Sequence, residues 1–120
     1  MKQEYFLAQA RLASSKSDHH SHKIGCVIAK GNKVLGTGWN VLKTHPKSPH
    51  QYKSIHAEFM ASIAAGDAIE GATAYIFRQQ KDGTWANSKP CASCWKYLME
   101  LGIKEVVYSF EGYFKQERVI

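Results

Sequence analysis

The chain has 120 residues, of which 44% are hydrophobic and 22% are charged. This length fits one compact domain, and the apolar fraction excludes a disordered protein. No stretch reaches the roughly 20 apolar residues needed to cross a bilayer, and the N-terminal stretch carries Glu4 and lacks the hydrophobic region of a signal peptide. We therefore predict one compact domain over residues 1–120, located in the cytoplasm and without membrane contact.

The charge and the cysteines narrow the possible partners. The net charge of +6 favours anions, which include both free nucleotide phosphates and nucleic-acid backbones. Two of the three cysteines form Cys91-Ala-Ser-Cys94. In a reducing compartment, this spacing indicates metal or redox chemistry rather than a disulfide scaffold.

Predicted helices and strands alternate along the chain. In order they are a helix over 4–15, a hairpin of 24–29 and 34–39, a helix over about 55–65, a strand over 72–77, a helix from Pro90 to Leu101 and a strand over 105–110. Gly66, in the left-handed conformation, is predicted to end the second helix, and Gly102 is predicted to end the third. If 114–120 is a strand, it pairs antiparallel with 105–110, because parallel pairing needs a longer connection. The alternation indicates an α/β sandwich.

Two loops carry polar residues with open roles. Residues 43–54 contain Pro46 and Pro49 and are predicted to form a long loop. Basic side chains in that loop are candidates for holding a phosphate, with plain surface charge as the alternative: Lys43, His45, Lys47 and Lys53. The cluster of His19, His20 and His22 is either a metal or phosphate site or simply solvated.

The segments His56-Ala57-Glu58 and Pro90-Cys91-Ala92-Ser93-Cys94 carry the most informative pattern. One imidazole and two thiolates are ligands that tetrahedral zinc prefers, and three protein ligands leave a fourth position for water, as in catalytic sites. Both groups are predicted at helix N-termini, where the helix dipole favours thiolates. A closed structural site would need a fourth ligand from Cys26, His19, His20, His22, His45 or His50.

Zinc lowers the pKa of bound water to roughly 7, which supplies a nucleophile at neutral pH. Glu58, two residues after His56, is placed to take the proton of that water. It would then pass the proton to a ring nitrogen and to a leaving amine. Cys26 lies inside an apolar strand and is interpreted as a small buried hydrophobic residue.

These two motifs, with Gly38-Trp39-Asn40 and the Gly102–Tyr108 segment, resemble the cytidine/deoxycytidylate deaminase superfamily over nearly the whole chain. The Lys43–Lys53 loop, with Thr44-His45-Pro46-Lys47, is similar to the corresponding loop of phage-type deoxycytidylate-deaminase-like proteins. The resemblance implies a three-layer α/β/α sandwich with a mixed central sheet of four to five strands, and homo-oligomers. It also implies that Asn40 orients the sugar or base and that the Ala57 N–H binds the base carbonyl.

The resulting hypothesis is a zinc-dependent hydrolytic deaminase that converts a small cytosine nucleoside or nucleotide to its uracil counterpart and releases ammonia. In this hypothesis His56, Cys91 and Cys94 hold the zinc, and Glu58 is catalytic. One alternative is a deaminase acting on cytosine or adenine in single-stranded DNA or RNA. Another is a non-catalytic zinc-binding module.

Overall fold

The computed structural model describes residues 2–18, 23–41, 56–80 and 84–119. The helices in these ranges are α1 (Lys2–Ser14), α2 (Ala57–Ala65) and α3 (Ala92–Glu100), and a short 3-10 helix, Gly66–Ile69, follows α2. The strands are β1 (Lys23–Lys30), β2 (Lys33–Trp39), β3 (Thr73–Gln79), β4 (Trp85–Ala86), β5 (Glu105–Phe110) and β6 (Tyr113–Arg118). No helix of the described ranges is both long enough and apolar enough to span a membrane.

The strands form one mixed sheet in the order β2-β1-β3-β5-β6, and β4 pairs with β3 beside this path. β3 and β5 pair in parallel, whereas the other pairs are antiparallel. The predicted hairpin and the predicted antiparallel last strand are confirmed. β4 was not predicted, because two residues are too short to show an alternating pattern.

Alternate strand residues face opposite sides of the sheet and build two cores. One core contains Cys26, Ile76 and Val106 and packs against residues of α2 and α3. The other contains Val27 and Phe77 and packs against α1. The predicted α/β sandwich with helices on both faces of a mixed sheet is therefore confirmed.

Helix ends differ from the predictions at two places. α3 begins at Ala92, after Cys91 as N-cap with an extended backbone (ψ 166°), so the prediction that Pro90 lies in the first helical turn is wrong. Gly66 follows α2 with a positive φ of 66°, but its ψ of −146° lies outside the left-handed helical region and leads into the 3-10 helix. Gly102, with φ 84°, follows α3 as predicted. The predicted loop of residues 43–54 lies outside the described residues.

Glycines in β2 allow α2 to lie directly on the sheet. A Cβ on Gly38 would overlap backbone atoms of Ala57 and Ala61, and a Cβ on Gly36 would overlap backbone atoms of Ala61 and Ala65. Both glycines are buried. The position of α2, and so of the residues at its N-terminus, depends on the absence of side chains at these two positions.

We predict that Gly38→Ala destabilises the protein by about 1–3 kcal/mol, because the added methyl must displace the α2 backbone. Urea unfolding measures this change. Gly31→Asn is the control, because a Cβ at Gly31 meets no atom within 4 Å and asparagine tolerates its positive φ. Equal stability of the two variants would contradict the proposed contact.

Candidate active site

Two helix N-termini meet at one edge of the sheet. β2, β3 and β5 run in the same direction, because β1 is antiparallel to both β2 and β3 and β3 is parallel to β5. α2 and α3 both begin near the carboxyl ends of these strands. His56 is the N-cap of α2, Cys91 is the N-cap of α3, and Cys94 lies in the first turn of α3. The N-terminal placement expected for the ligand groups is confirmed.

The side chains of His56, Cys91 and Cys94 converge, and their ligand atoms all lie within 4.8 Å of one another. His56 Nδ1 is 3.2 Å from Cys94 Sγ. One imidazole nitrogen and two thiolate sulfurs are donors that zinc prefers, so the type and number of these ligands fit this metal. Cys94 is buried, His56 is half-buried and Cys91 is exposed, so one side of the group faces outward. In the described part of the chain, no fourth histidine, cysteine or carboxylate joins the group.

The electrostatics of the group also favour a cation. Burial, together with the neighbouring Glu58 and Cys91, raises the pKa of the Cys94 thiol far above its usual range. A bound divalent cation reverses this preference, because it stabilises thiolates directly. Three potentially anionic side chains lie close together here, and two of them, Glu58 and Cys94, are buried, which is consistent with a metal-binding role.

Glu58 lies at the second position of α2 and is only 5% exposed. Burial raises the pKa of its carboxyl group, while hydrogen bonds from its own backbone N–H and from Cys94 act in the opposite direction. Burial is the main cause that raises the pKa of the Cys26 thiol, and the nearby Glu58 raises it further. Cys26 is fully buried in β1, as expected for a small hydrophobic residue.

Asn40 and Ala57 line the same cavity as Glu58. Asn40 directly follows β2 and is held against β1 by two hydrogen bonds: its N–H donates to Ile24 O at 3.1 Å, and Ile24 N donates to Asn40 Oδ1 at 2.9 Å. Ala57 is the first residue of α2, so its N–H points out of the helix end without an intrahelical acceptor. The structure brings together all six sequence-predicted site residues.

The cavity has a volume of about 230 Å³ and is also lined by two cationic residues that the sequence analysis did not select, Arg78 and Lys89. Arg78 lies near the end of β3, opposite Ile24 of β1. Lys89 Nζ is 3.3 Å from Glu117 Oε2 and 5.3 Å from the ring centre of Trp95. The sequence signal that could have identified Arg78 is the period-two alternation of a strand. It places Arg78 on the same face of the sheet as Ile76, which is the face that α2 and α3 cover.

One further cavity lies apart from this group. A larger cavity of about 370 Å³ between α1 and β6 contains none of the predicted site residues. The phosphate candidates of the 43–54 loop and the cluster of His19, His20 and His22 lie outside the described residues.

Comparisons with known proteins agree with this geometry. Residues 1–110 match the family model described as the cytidine and deoxycytidylate deaminase zinc-binding region. A deoxycytidylate deaminase of Mycobacterium phage D29 is 30% identical over 131 residues, covering 91% of this chain and 94% of the phage protein. A cytidine deaminase from Burkholderia pseudomallei has the same fold, with a TM-score of 0.73 at 21% identity, over 99% of this chain and 94% of that one.

A deoxycytidylate deaminase of Schizosaccharomyces pombe is 29% identical over 122 residues, which cover 87% of this chain and 35% of the yeast protein. The chain therefore spans about a third of the length of this relative. With a zinc-binding family model over most of its length and the donor set of His56, Cys91 and Cys94, the chain belongs to the cytidine and deoxycytidylate deaminase family.

Proposed function

We propose that this chain is a zinc-dependent hydrolytic deaminase that converts a cytosine nucleoside or nucleotide to its uracil counterpart. The observation that carries the proposal is the convergence of three zinc-type ligand atoms within 4.8 Å beside the buried Glu58. In the reaction, a water oxygen bonds to C4 of the base, the C4–N bond breaks and ammonia leaves. The names of the fungal and phage relatives support a nucleotide substrate.

His56, Cys91 and Cys94 would hold the metal. When bound, zinc supplies a nucleophile at neutral pH by lowering the pKa of water to about 7. Three protein ligands suit this role, because a catalytic zinc site keeps one position open. A non-catalytic module would need a fourth protein ligand, and none lies beside these three among the described residues.

Glu58 is the proton carrier in this proposal. It takes one proton from the attacking water and delivers it to N3 of the base. It then takes the second proton from the hydroxyl formed at C4 and passes it to the departing amine. A raised pKa suits both tasks, because the carboxyl group must accept and release protons near neutral pH. The Ala57 N–H donates to the base carbonyl, and Asn40, fixed by Ile24, orients the sugar or base.

Arg78 supports a nucleotide over a nucleoside. It is half-buried in the cavity wall, and its Nε is shielded from solvent. Solvent therefore screens the charge of its guanidinium group only weakly. Lys89 adds a second positive charge at the rim, although Glu117 compensates part of it. We propose that Arg78 binds the phosphate of a nucleoside monophosphate.

The remaining sequence expectations stay predictions. They are a single catalytic domain, a cytoplasmic location, homo-oligomeric assembly and, as the alternative substrate, cytosine or adenine in single-stranded DNA or RNA. Including an oligonucleotide in the ammonia-release assay tests the alternative substrate directly.

We predict that Glu58→Gln lowers kcat for deoxycytidine monophosphate by roughly 10²–10⁴-fold, because an amide of the same shape cannot carry the proton. Steady-state ammonia release measures kcat, and elemental analysis checks that zinc content is unchanged. Glu100→Gln, an exposed change at the far end of α3, is the control. Full turnover by zinc-loaded Glu58→Gln would exclude the proton-carrier role.

We predict that Arg78→Gln raises KM for deoxycytidine monophosphate by roughly 10- to 100-fold, the expected loss of one hydrogen bond to a charged group. KM for deoxycytidine should change little, because that substrate carries no phosphate. Parallel kinetics on both substrates give the comparison.

Arg118→Gln, an exposed arginine on β6, is the matched control for the loss of charge. Arg78→Lys should restore part of the affinity for the nucleotide. An equal rise in KM for both substrates would show that Arg78 does not recognise the phosphate.

A further inference from the structure

β3 changes its neighbour near its carboxyl end. Residues Thr73–Ile76 pair with β5 in parallel, whereas Arg78 and Gln79 pair with β4 in antiparallel fashion. Backbone N–H and C=O groups at such a branch need partners other than the regular ladder. The segment that fills this branch runs from β4 towards Cys91.

Two buried serines form hydrogen bonds with the backbone groups at this branch. Ser109, at 0% exposure, accepts a hydrogen bond from Arg78 N at 3.0 Å, and its Oγ is 2.8 Å from Ala86 O, to which it donates. Ser88, at 5% exposure, accepts from Ser109 N at 2.8 Å and donates to Ile76 O at 2.9 Å. Each hydroxyl therefore acts once as donor and at least once as acceptor.

A backbone bond completes the contact between these residues. Ser88 N donates to Ser109 O at 2.9 Å, and the two Oγ atoms are 2.9 Å apart. We name Ser88 and Ser109 together the serine pair. The serine pair ties the β4–α3 segment to both β3 and β5 at a point where that segment forms neither helix nor strand.

Of the three metal-type ligands, Cys91 depends most on this segment. Cys94 is buried inside α3, and His56 is fixed at the start of α2. Cys91 is exposed, lies outside the helix as its N-cap, and its side chain makes no capping hydrogen bond. Only Lys89 and Pro90 separate it from Ser88.

We propose that the serine pair is a positioning element that holds Cys91 in place for the metal. The inference rests on the zinc site of the proposed function. Neither hydroxyl lies among the metal-type ligands, so both act through the backbone that carries Cys91. Removing a group that orients a metal ligand without contacting the metal typically lowers metal affinity roughly 10- to 100-fold. We expect about this loss of zinc affinity when either serine is removed.

The test compares zinc and cobalt binding by the full chain in wild type, Ser88→Ala and Ser109→Ala. Competition with a chromogenic chelator gives the zinc dissociation constant, and the Co²⁺ absorption spectrum reports the thiolate ligands. We expect both variants to bind zinc roughly 10- to 100-fold more weakly and to show altered thiolate bands. Ser88→Thr, which keeps the hydroxyl, should restore zinc affinity.

Ser14→Ala is the matched control. Ser14 is also buried, and its Oγ donates to Arg11 O, but it lies on α1 across the sheet from the site. Thermal unfolding of each variant separates a general loss of stability from a specific loss of metal. If Ser109→Ala does not fold, the zinc affinity and cobalt spectrum of Ser88→Ala alone are compared with those of the wild type.

Wild-type zinc affinity and an unchanged cobalt spectrum in the serine variants would overturn the positioning role and leave the proposed function intact. The same is true if Ser14→Ala loses as much zinc affinity as they do. Failure of the wild-type chain to bind zinc would instead remove the proposed function and the inference together.

Discussion

The parallel pairing of β3 with β5 is the constraint on which the site depends. Parallel neighbours cannot be joined by a tight turn, so the chain crosses over through α3 before it returns as β5. β2 points in the same direction as both strands, because β1 is antiparallel to β2 and to β3. The starts of α2 and α3 therefore meet at one sheet edge, where their helix dipoles favour anionic ligands.

The chemistry assembled at this edge is costly without a cation. Burial raises the pKa of both Glu58 and Cys94. Glu58 also opposes the ionisation of Cys94, whereas the hydrogen bond from Cys94 favours the ionisation of Glu58. A metal that binds thiolates offsets this cost, so metal binding and folding stability are coupled.

In the proposed function, different elements serve the reaction and the choice of substrate. The metal-type ligands and Glu58 belong to the first turns or caps of two helices, which are rigid and packed closely on the sheet. Arg78 comes from the end of a strand, and Lys89 from the irregular segment before α3. Relatives with the same metal motif can therefore differ in their substrates, because strand ends and connecting segments vary without disturbing the helix starts.

The sequence by itself determined the hairpin, the three helices, the last antiparallel strand and the grouping of His56, Cys91 and Cys94, with Glu58 in the same cavity. The helices and strands depend on short-range patterns such as period-two alternation and helix starts. The grouping of the metal-type ligands, in which His56 and Cys94 meet across 38 positions, follows instead from a ligand motif that the family shares. Arg78, the serine pair, β4 and the contact of α2 with Gly36 and Gly38 were decided only by the tertiary structure. The physical reason is that Ser88 and Ser109 meet across 21 positions through strand pairings that neither a local pattern nor a family motif encodes.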